Sequence, residues 1–293
     1  MSENSETRLP SAHRGTFKVL GVRVNAVQIA DVVAQIERWI EERSYGHVVA
    51  TANAHVVMEC QRNPQMMEAI NSADLVIPDG MPIVWLGRKH GFPLRERAYG
   101  PDVMEAVLDF SVRKGYSHYF YGSTPETLKA LVARIRQRWS GVRIAGWYSP
   151  PFRPLTPEED EAIVQILNKV RPDILWVGLG CPKQELWMHS HKNRLKIPVL
   201  LGVGAAFDFL SGKKLQAPKW MRRNGLEWLF RFLTNPRRIW YRVLILGPQF
   251  VFLVMLESLG LKKKIRLIEG GAWGCTKDES WSPVLEVSSD TTW

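Results

Sequence analysis

The sequence predicts an α/β protein, a mostly parallel sheet with helices on both faces, followed by a basic, amphipathic helical appendage at the C-terminal end. Three observations carry this. Six short apolar runs, rich in β-branched and aromatic residues, alternate with stretches of helical period. A composition of 45% hydrophobic and 23% charged residues is that of an ordinary globular chain with a sizeable core. Beyond Gly212 the chain turns basic and Trp-rich. Strand and helix in strict alternation require crossover connections, which make neighbouring strands parallel and cover both faces of the sheet, so the body is expected to be Rossmann-like.

In order along the chain, Phe17–Leu20 and Val22–Val24 around Gly21 predict a small added hairpin. Ile29, Val32, Val33, Ile36, Trp39 and Ile40 then share one face of a helix. The apolar runs His47–Ala50, Asp74–Ile77, Ser117–Tyr121, Val142–Trp147, Asp173–Val177 and Pro198–Val203 predict the strands of the sheet. Gly100-Pro101-Asp102 opens a helix through Val112, and Thr156-Pro157-Glu158-Glu159 supplies a cap, a proline at the first helical position and a capping-box acid. The α/β domain is therefore expected over 17–212, after a polar, disordered N-terminus at 1–16 that lacks the apolar core of a signal peptide. Residues 213–268 form the basic, membrane-associating appendage, and the Gly/Ser/Thr-rich stretch 269–293 a disordered tail. Three cysteines, Cys60, Cys181 and Cys275, are too few and too scattered for a disulfide framework or a CxxC metal site, which points to the cytoplasm.

The formal charge of +10 is concentrated in one place. Between Lys213 and Arg266 thirteen Lys or Arg face two acids, Glu227 and Glu257, which accounts for the whole excess and points to a local anionic partner. Because the basic residues are interleaved with Trp220, Trp228, Phe230, Phe232, Ile239 and Trp240 and then run into an apolar stretch, a bilayer surface suits them better than nucleic acid. The uncharged run from Val243 to Leu256 is about 21 Å long if helical, against a hydrocarbon core of roughly 30 Å, and Gly247-Pro248 is expected to weaken it further. A peripheral element is expected, although its apolar face suits closure on a second copy of the chain equally well.

In an open α/β sheet, ligands bind beyond the carboxyl ends of the strands. Asp79, after a strand that can be buried on both faces and before a glycine, is placed either to take a proton from a hydroxyl nucleophile or to cap the helix starting near Pro82. Thr51 and Asn53 either bind sugar hydroxyls or cap the next helix. Gly178-x-Gly180-x-Pro182 builds a tight turn at a helix N-terminus, where phosphate is favoured. It is also half of a dinucleotide fingerprint, which makes a nicotinamide-dependent Rossmann oxidoreductase the alternative function, with a third glycine missing. Gly122-Ser123-Thr124 is a second nucleotide turn or a plain cap. No metal site is expected: His189 and His191 point to different helix faces, no Asp-x-Asp pair occurs, and His55 is expected to be structural. Cys181 lacks a basic partner nearby in sequence and is not expected to be a nucleophile.

Thr51-x-Asn53, Pro78-Asp79-Gly80-Met81, Arg97-x-x-Gly100-x-Asp102, Gly178-x-Gly180-x-Pro182-Lys183-Gln184-Glu185-x-Trp187, Gly204-x-x-Phe207-Asp208, Ala217-Pro218-x-Trp220 and Gly225-Leu226-Glu227-Trp228-Leu229-Phe230-Arg231 occur in this order. Together with Asn235-Pro236-Arg237-Arg238, this pattern resembles the WecG/TagA/CpsF glycosyltransferases, glycosyltransferase family 26, over roughly Val19 to Leu256. The resemblance implies a metal-independent, cofactor-free, inverting transfer from a UDP-sugar to a polyprenyl-pyrophosphate-linked saccharide in cell-surface polysaccharide synthesis. It implies an enzyme peripheral on the inner face of the cell membrane. It makes Asp79 the general base, lines the donor and acceptor pocket with Thr51, Asn53, Arg97 and Gln184, and brings Arg231 and Arg238 to the pyrophosphate. Leu246-Gly247-Pro248-Gln249-Phe250 departs from the family's pattern.

Overall fold

The computed structural model describes residues 15–261. Of these, residues up to Phe252 form one compact unit and those from Leu253 belong to a second. The expected hairpin is present as β1 (Thr16–Val19) and β2 (Val22–Asn25), paired antiparallel. The main strands are β3 (His47–Ala52), β4 (Leu75–Pro78), β5 (Ser117–Gly122), β6 (Arg143–Tyr148), β7 (Ile174–Gly178) and β8 (Val199–Gly202). They form a six-stranded sheet in the order β4-β3-β8-β7-β5-β6, with every pair parallel. Edge strand β4 is fully buried because β2 packs beside it, and the Asn25 Oδ1 accepts the Val76 N–H at 2.8 Å. That removes part of the unpaired edge a parallel sheet otherwise exposes.

The helices of the body are α1 (Ile29–Glu41), α2 (Ala54–Arg62), α3 (Pro64–Asn71), α4 (Met81–Lys89), α5 (Gly100–Lys114), α6 (Pro125–Arg138), α7 (Pro157–Val170), α8 (Lys183–His191) and α9 (Ala206–Leu210). On one side α1, α5, α6 and α9 pack together over Val49, Leu75, Ile77, Phe120, Trp176 and Leu201 of the sheet. The opposite side carries α2, α3, α7 and α8. Predicted starts hold where the capping chemistry is strong: Thr156 and Glu159 complete a capping box on α7. The helix opened by Gly100 runs to Lys114, two residues past the expected Val112, and stops where Gly115 takes φ 71°.

The appendage continues as α10 (Lys219–Arg223), α11 (Glu227–Thr234), α12 (Pro236–Tyr241), a π-helical turn (Arg242–Leu246) and α13 (Gly247–Ser258). Here the structure corrects the sequence reading, since Gly247-Pro248 does not interrupt the helix. Residues Ile239–Ser258 run as one helix of 20 residues, apolar and long enough by length and composition alone to cross a membrane. The wider π turn accommodates a proline that has no N–H to donate and whose ring crowds the preceding turn.

Candidate active site at the carboxyl edge of the sheet

Asp79 follows β4 directly, and its own N–H donates to Ala52 O at the end of β3 at 2.9 Å. Its carboxylate does not cap α4, whose N-cap is Gly80 without a side-chain bond. Instead Oδ1 accepts the N–H of Gly100, the first residue of α5, at 2.9 Å, and Oδ2 accepts Nδ2 of Asn53 at 3.1 Å. Asn53 meets its capping reading: Oδ1 caps α2 by accepting the Val56 N–H at 3.1 Å, which obliges the amide nitrogen to face Asp79. Burial pushes the Asp79 carboxyl above the usual carboxylate range; Arg97, the Gly100 N–H and the Asn53 amide offset part of that, and Glu227 adds to it.

The appendage reaches this edge through α11. Glu227, 6% exposed, takes Arg97 and Arg231 as salt-bridge partners and accepts the Tyr99 hydroxyl at 2.8 Å. Arg231 also donates to the Tyr99 hydroxyl at 3.2 Å and lies over the Phe209 ring, while the Arg97 guanidinium sits 3.9 Å from the Tyr99 ring centroid. Arg222, from α10, donates to Asp102 at 2.9 Å. Burial works against the charge on Glu227, but Arg231 and Arg97 overcome it and hold the carboxyl below the usual range. The Nε atoms of Arg222 and Arg231 are buried and have no hydrogen-bond partner among the described residues.

Four of the residues singled out in the sequence, Asp79, Asn53, Arg97 and Arg231, thus converge. Thr51 lies buried within β3 opposite Ile77, so it caps no helix. Gln184, on α8, lies against the backbone of β8 at Gly202. The side chain of Arg238 lies outside the described residues. Gly122 and Gly178 meet as paired ends of β5 and β7, and Ser123 N–H donates to Gly178 O at 3.1 Å. A Cβ on Gly178 would stand 2.5 Å from the Phe207 ring, and one on Gly122 would stand 2.6 Å from the Gly178 carbonyl carbon. Gly178, one of the two glycines of the partial dinucleotide fingerprint, is therefore a packing requirement. Of Gly122, Gly178 and Gly180, only Gly180, at φ 79° with open space around it, has the freedom of a ligand-binding turn. Thr124 is a plain cap, its Oγ1 accepting the Thr127 N–H.

Sequence reasoning missed Tyr99, Asp102, Arg222 and Glu227 as members of the site. One signal was available for Glu227, which is one of two acids within a segment of thirteen basic residues. His189 and His191 do diverge, to Ser72 and Asp160. His55 is pushed down to about 4 by burial, with Arg242 and Arg62 adding to it, so it is neutral. Burial raises the Cys181 thiol, which is not an activated nucleophile. Among the described residues no group of three or more His, Cys, Asp or Glu is placed to hold a metal ion.

A parallel α/β sheet with a carboxylate and converging arginines at its carboxyl edge suits transfer of a group carried on an anionic leaving group. The family model described as "Glycosyl transferase WecG/TagA/CpsF family" matches residues 17–264. A Bacillus spizizenii protein is 30% identical over 228 residues, covering 78% of this chain and 86% of its own. A Bacillus subtilis protein is 27% identical, covering 80% and 89%, and a Staphylococcus aureus protein is 28% identical, covering 75% and 85%. All three are named N-acetylglucosaminyldiphosphoundecaprenol N-acetyl-beta-D-mannosaminyltransferase. The chain belongs to the WecG/TagA/CpsF family and is a hexosyl-transferring glycosyltransferase. The oxidoreductase alternative is dropped.

Proposed function

We propose that this enzyme transfers N-acetylmannosamine, with inversion, from a UDP-sugar to N-acetylglucosamine carried on a polyprenyl diphosphate, and that Asp79 is its general base. The observation that carries the assignment of Asp79 is its geometry. Each carboxylate oxygen receives one hydrogen bond from the protein and keeps a lone pair for the acceptor hydroxyl. The raised Asp79 carboxyl is a stronger base than a free one. As the acceptor oxygen bonds to the anomeric carbon, its proton passes to Asp79, the bond from that carbon to the diphosphate oxygen breaks, and UDP leaves with the electron pair. Charge developing on the diphosphate calls for donors that are already oriented. The unpartnered Nε groups of Arg222 and Arg231 support that role for the appendage arginines. The relatives' names support the choice of sugar and acceptor. The basic, Trp-rich appendage supports peripheral attachment to an anionic membrane face, where a lipid-linked acceptor is presented.

The test is product analysis by mass spectrometry with a panel of UDP-sugars and undecaprenyl-diphosphate N-acetylglucosamine, with and without EDTA. Transfer of N-acetylmannosamine that survives chelation is expected. The Asp79→Asn variant should lose about 100-fold or more in kcat while still binding UDP. Transfer from another donor only would overturn the sugar assignment, and near-wild-type turnover by Asp79→Asn would overturn the base.

A further inference from the structure

Glu185 follows Gln184 on α8, and both side chains are buried, each 3% exposed. Gln184 Nε2 donates to Glu185 Oε1 at 2.8 Å. Gln184 Oε1 has no hydrogen-bond partner, although it is fully covered. The amide lies along the backbone at the end of β8: a Cβ on Gly202 would stand 3.2 Å from Nε2, and one on Gly204 would stand 3.4 Å from Oε1. Between those glycines is Val203, whose carbonyl oxygen borders Gly100, the residue that holds Asp79. The unsatisfied acceptor therefore lies beside the structure that fixes the carboxylate. A buried acceptor without a donor is costly and is tolerated where a ligand supplies one.

An amide has two ends, and which one faces a ligand depends on its neighbour. A carboxylate can only accept, so ionised Glu185 draws the Gln184 NH2 group and leaves Oε1 free. A neutral carboxylic acid can donate, which permits the reversed amide and presents NH2 instead. We propose that Glu185 is a positioning residue that, by accepting the Gln184 amide, fixes Gln184 Oε1 as the acceptor for a hydroxyl or amide N–H of the sugar substrate. This rests on the reading that the pocket beside Asp79 binds sugar.

Beside Glu185 are the thiols of Cys181, from the preceding loop, and Cys60, from α2; Glu59 of α2 acts on both thiols and Arg242 of the π turn acts on Cys181. Burial pushes the Glu185 carboxyl up to about 7, against the Gln184 amide, a backbone N–H and the Cys181 thiol, which pull it down. Burial pushes Cys60 to about 12 and raises Cys181 as well, so neither thiol competes with Glu185 for a proton near neutrality.

The experiment measures initial rates of the full chain with UDP-N-acetylmannosamine and undecaprenyl-diphosphate N-acetylglucosamine from about pH 6 to 8, the range in which a group near 7 titrates. The wild-type KM for one of the two substrates should rise as pH falls through this range, with kcat changing less. Glu185→Leu should raise that KM about tenfold, the scale of one lost hydrogen bond, with kcat within about threefold. Glu185→Gln keeps an acceptor oxygen and should recover part of the loss with a flat pH profile. An unchanged KM in Glu185→Leu, or a Glu185→Gln variant that retains the wild-type pH dependence, overturns the proposal. Asp79→Asn, which should lose kcat with KM preserved, separates failure of the base assignment from failure of this one.

Discussion

Replacing Glu227 with glutamine should uncouple the appendage from the active site. The carboxylate is buried, with Arg97 on one side and Arg231 on the other, and Tyr99 donating to it at 2.8 Å. Gln keeps an oxygen for Tyr99 but offers no charge to either guanidinium. Breaking a buried pair by removing one partner costs about 3–5 kcal/mol. The Arg97 side chain is 13% exposed and is stranded most completely, whereas Arg231 is 37% exposed and recovers water, so the lower figure applies. About 3 kcal/mol at roughly 2–4 °C per kcal/mol for a chain of this size gives a fall in Tm of about 6–12 °C, read by calorimetry. Activity should fall with it, because Glu227 helps keep the Asp79 carboxyl raised while Arg97 lowers it. Without Glu227 the acid limb of the pH–rate profile should move to lower pH and the base should weaken. In a double-mutant cycle, Arg97→Met should cost much less stability in the Glu227→Gln background than in the wild type. A Tm within about one degree of wild type, together with an unmoved acid limb, would refute the coupling.

Glu185 also makes stability depend on pH. Its carboxyl is raised from 4.5 to about 7 in the folded protein, so its contribution is fully favourable below about 4.5 and is lost as pH rises through about 7. The loss is on the order of 3 kcal/mol, and Glu185→Gln should therefore raise Tm at pH 8 while changing it little near pH 4.5. An equal effect at both pH values would contradict the shift. The full chain should sediment with vesicles containing anionic lipid at low salt and be released as salt approaches about 1 M, where screening shortens to roughly 3 Å. Retention regardless of salt and lipid charge would assign attachment to the apolar helix rather than to the basic residues.

Much of the fold was legible in the sequence because the signals are local. Strands with β-branched and aromatic runs, a capping box at Thr156 and Glu159, and the proline at the start of α5 each depend on neighbours within a few residues. The placement of Asp79 and Asn53 at the carboxyl edge was legible for the same reason: in a parallel sheet, position in sequence after a strand determines position at that edge. The continuous helix through Gly247-Pro248 was not, since proline placement depends on a π turn that no local propensity announces.

What the sequence determined by itself was the alternation that makes the sheet parallel, the concentration of positive charge after Gly212, and the family pattern. Only the tertiary structure decided which end of the Asn53 amide meets Asp79, because that follows from a cap bond to Val56 in one direction and a carboxylate from another strand in the other. Only it paired Glu227 with Arg97, 130 residues away along the chain. Only it distinguished glycines that admit a ring or a backbone, Gly178 and Gly122, from one left open, Gly180. The reason is common to all three. Periodicity and capping report interactions between residues near each other in sequence, whereas burial, charge pairing and the shift of a carboxyl depend on which distant segments fold against each other.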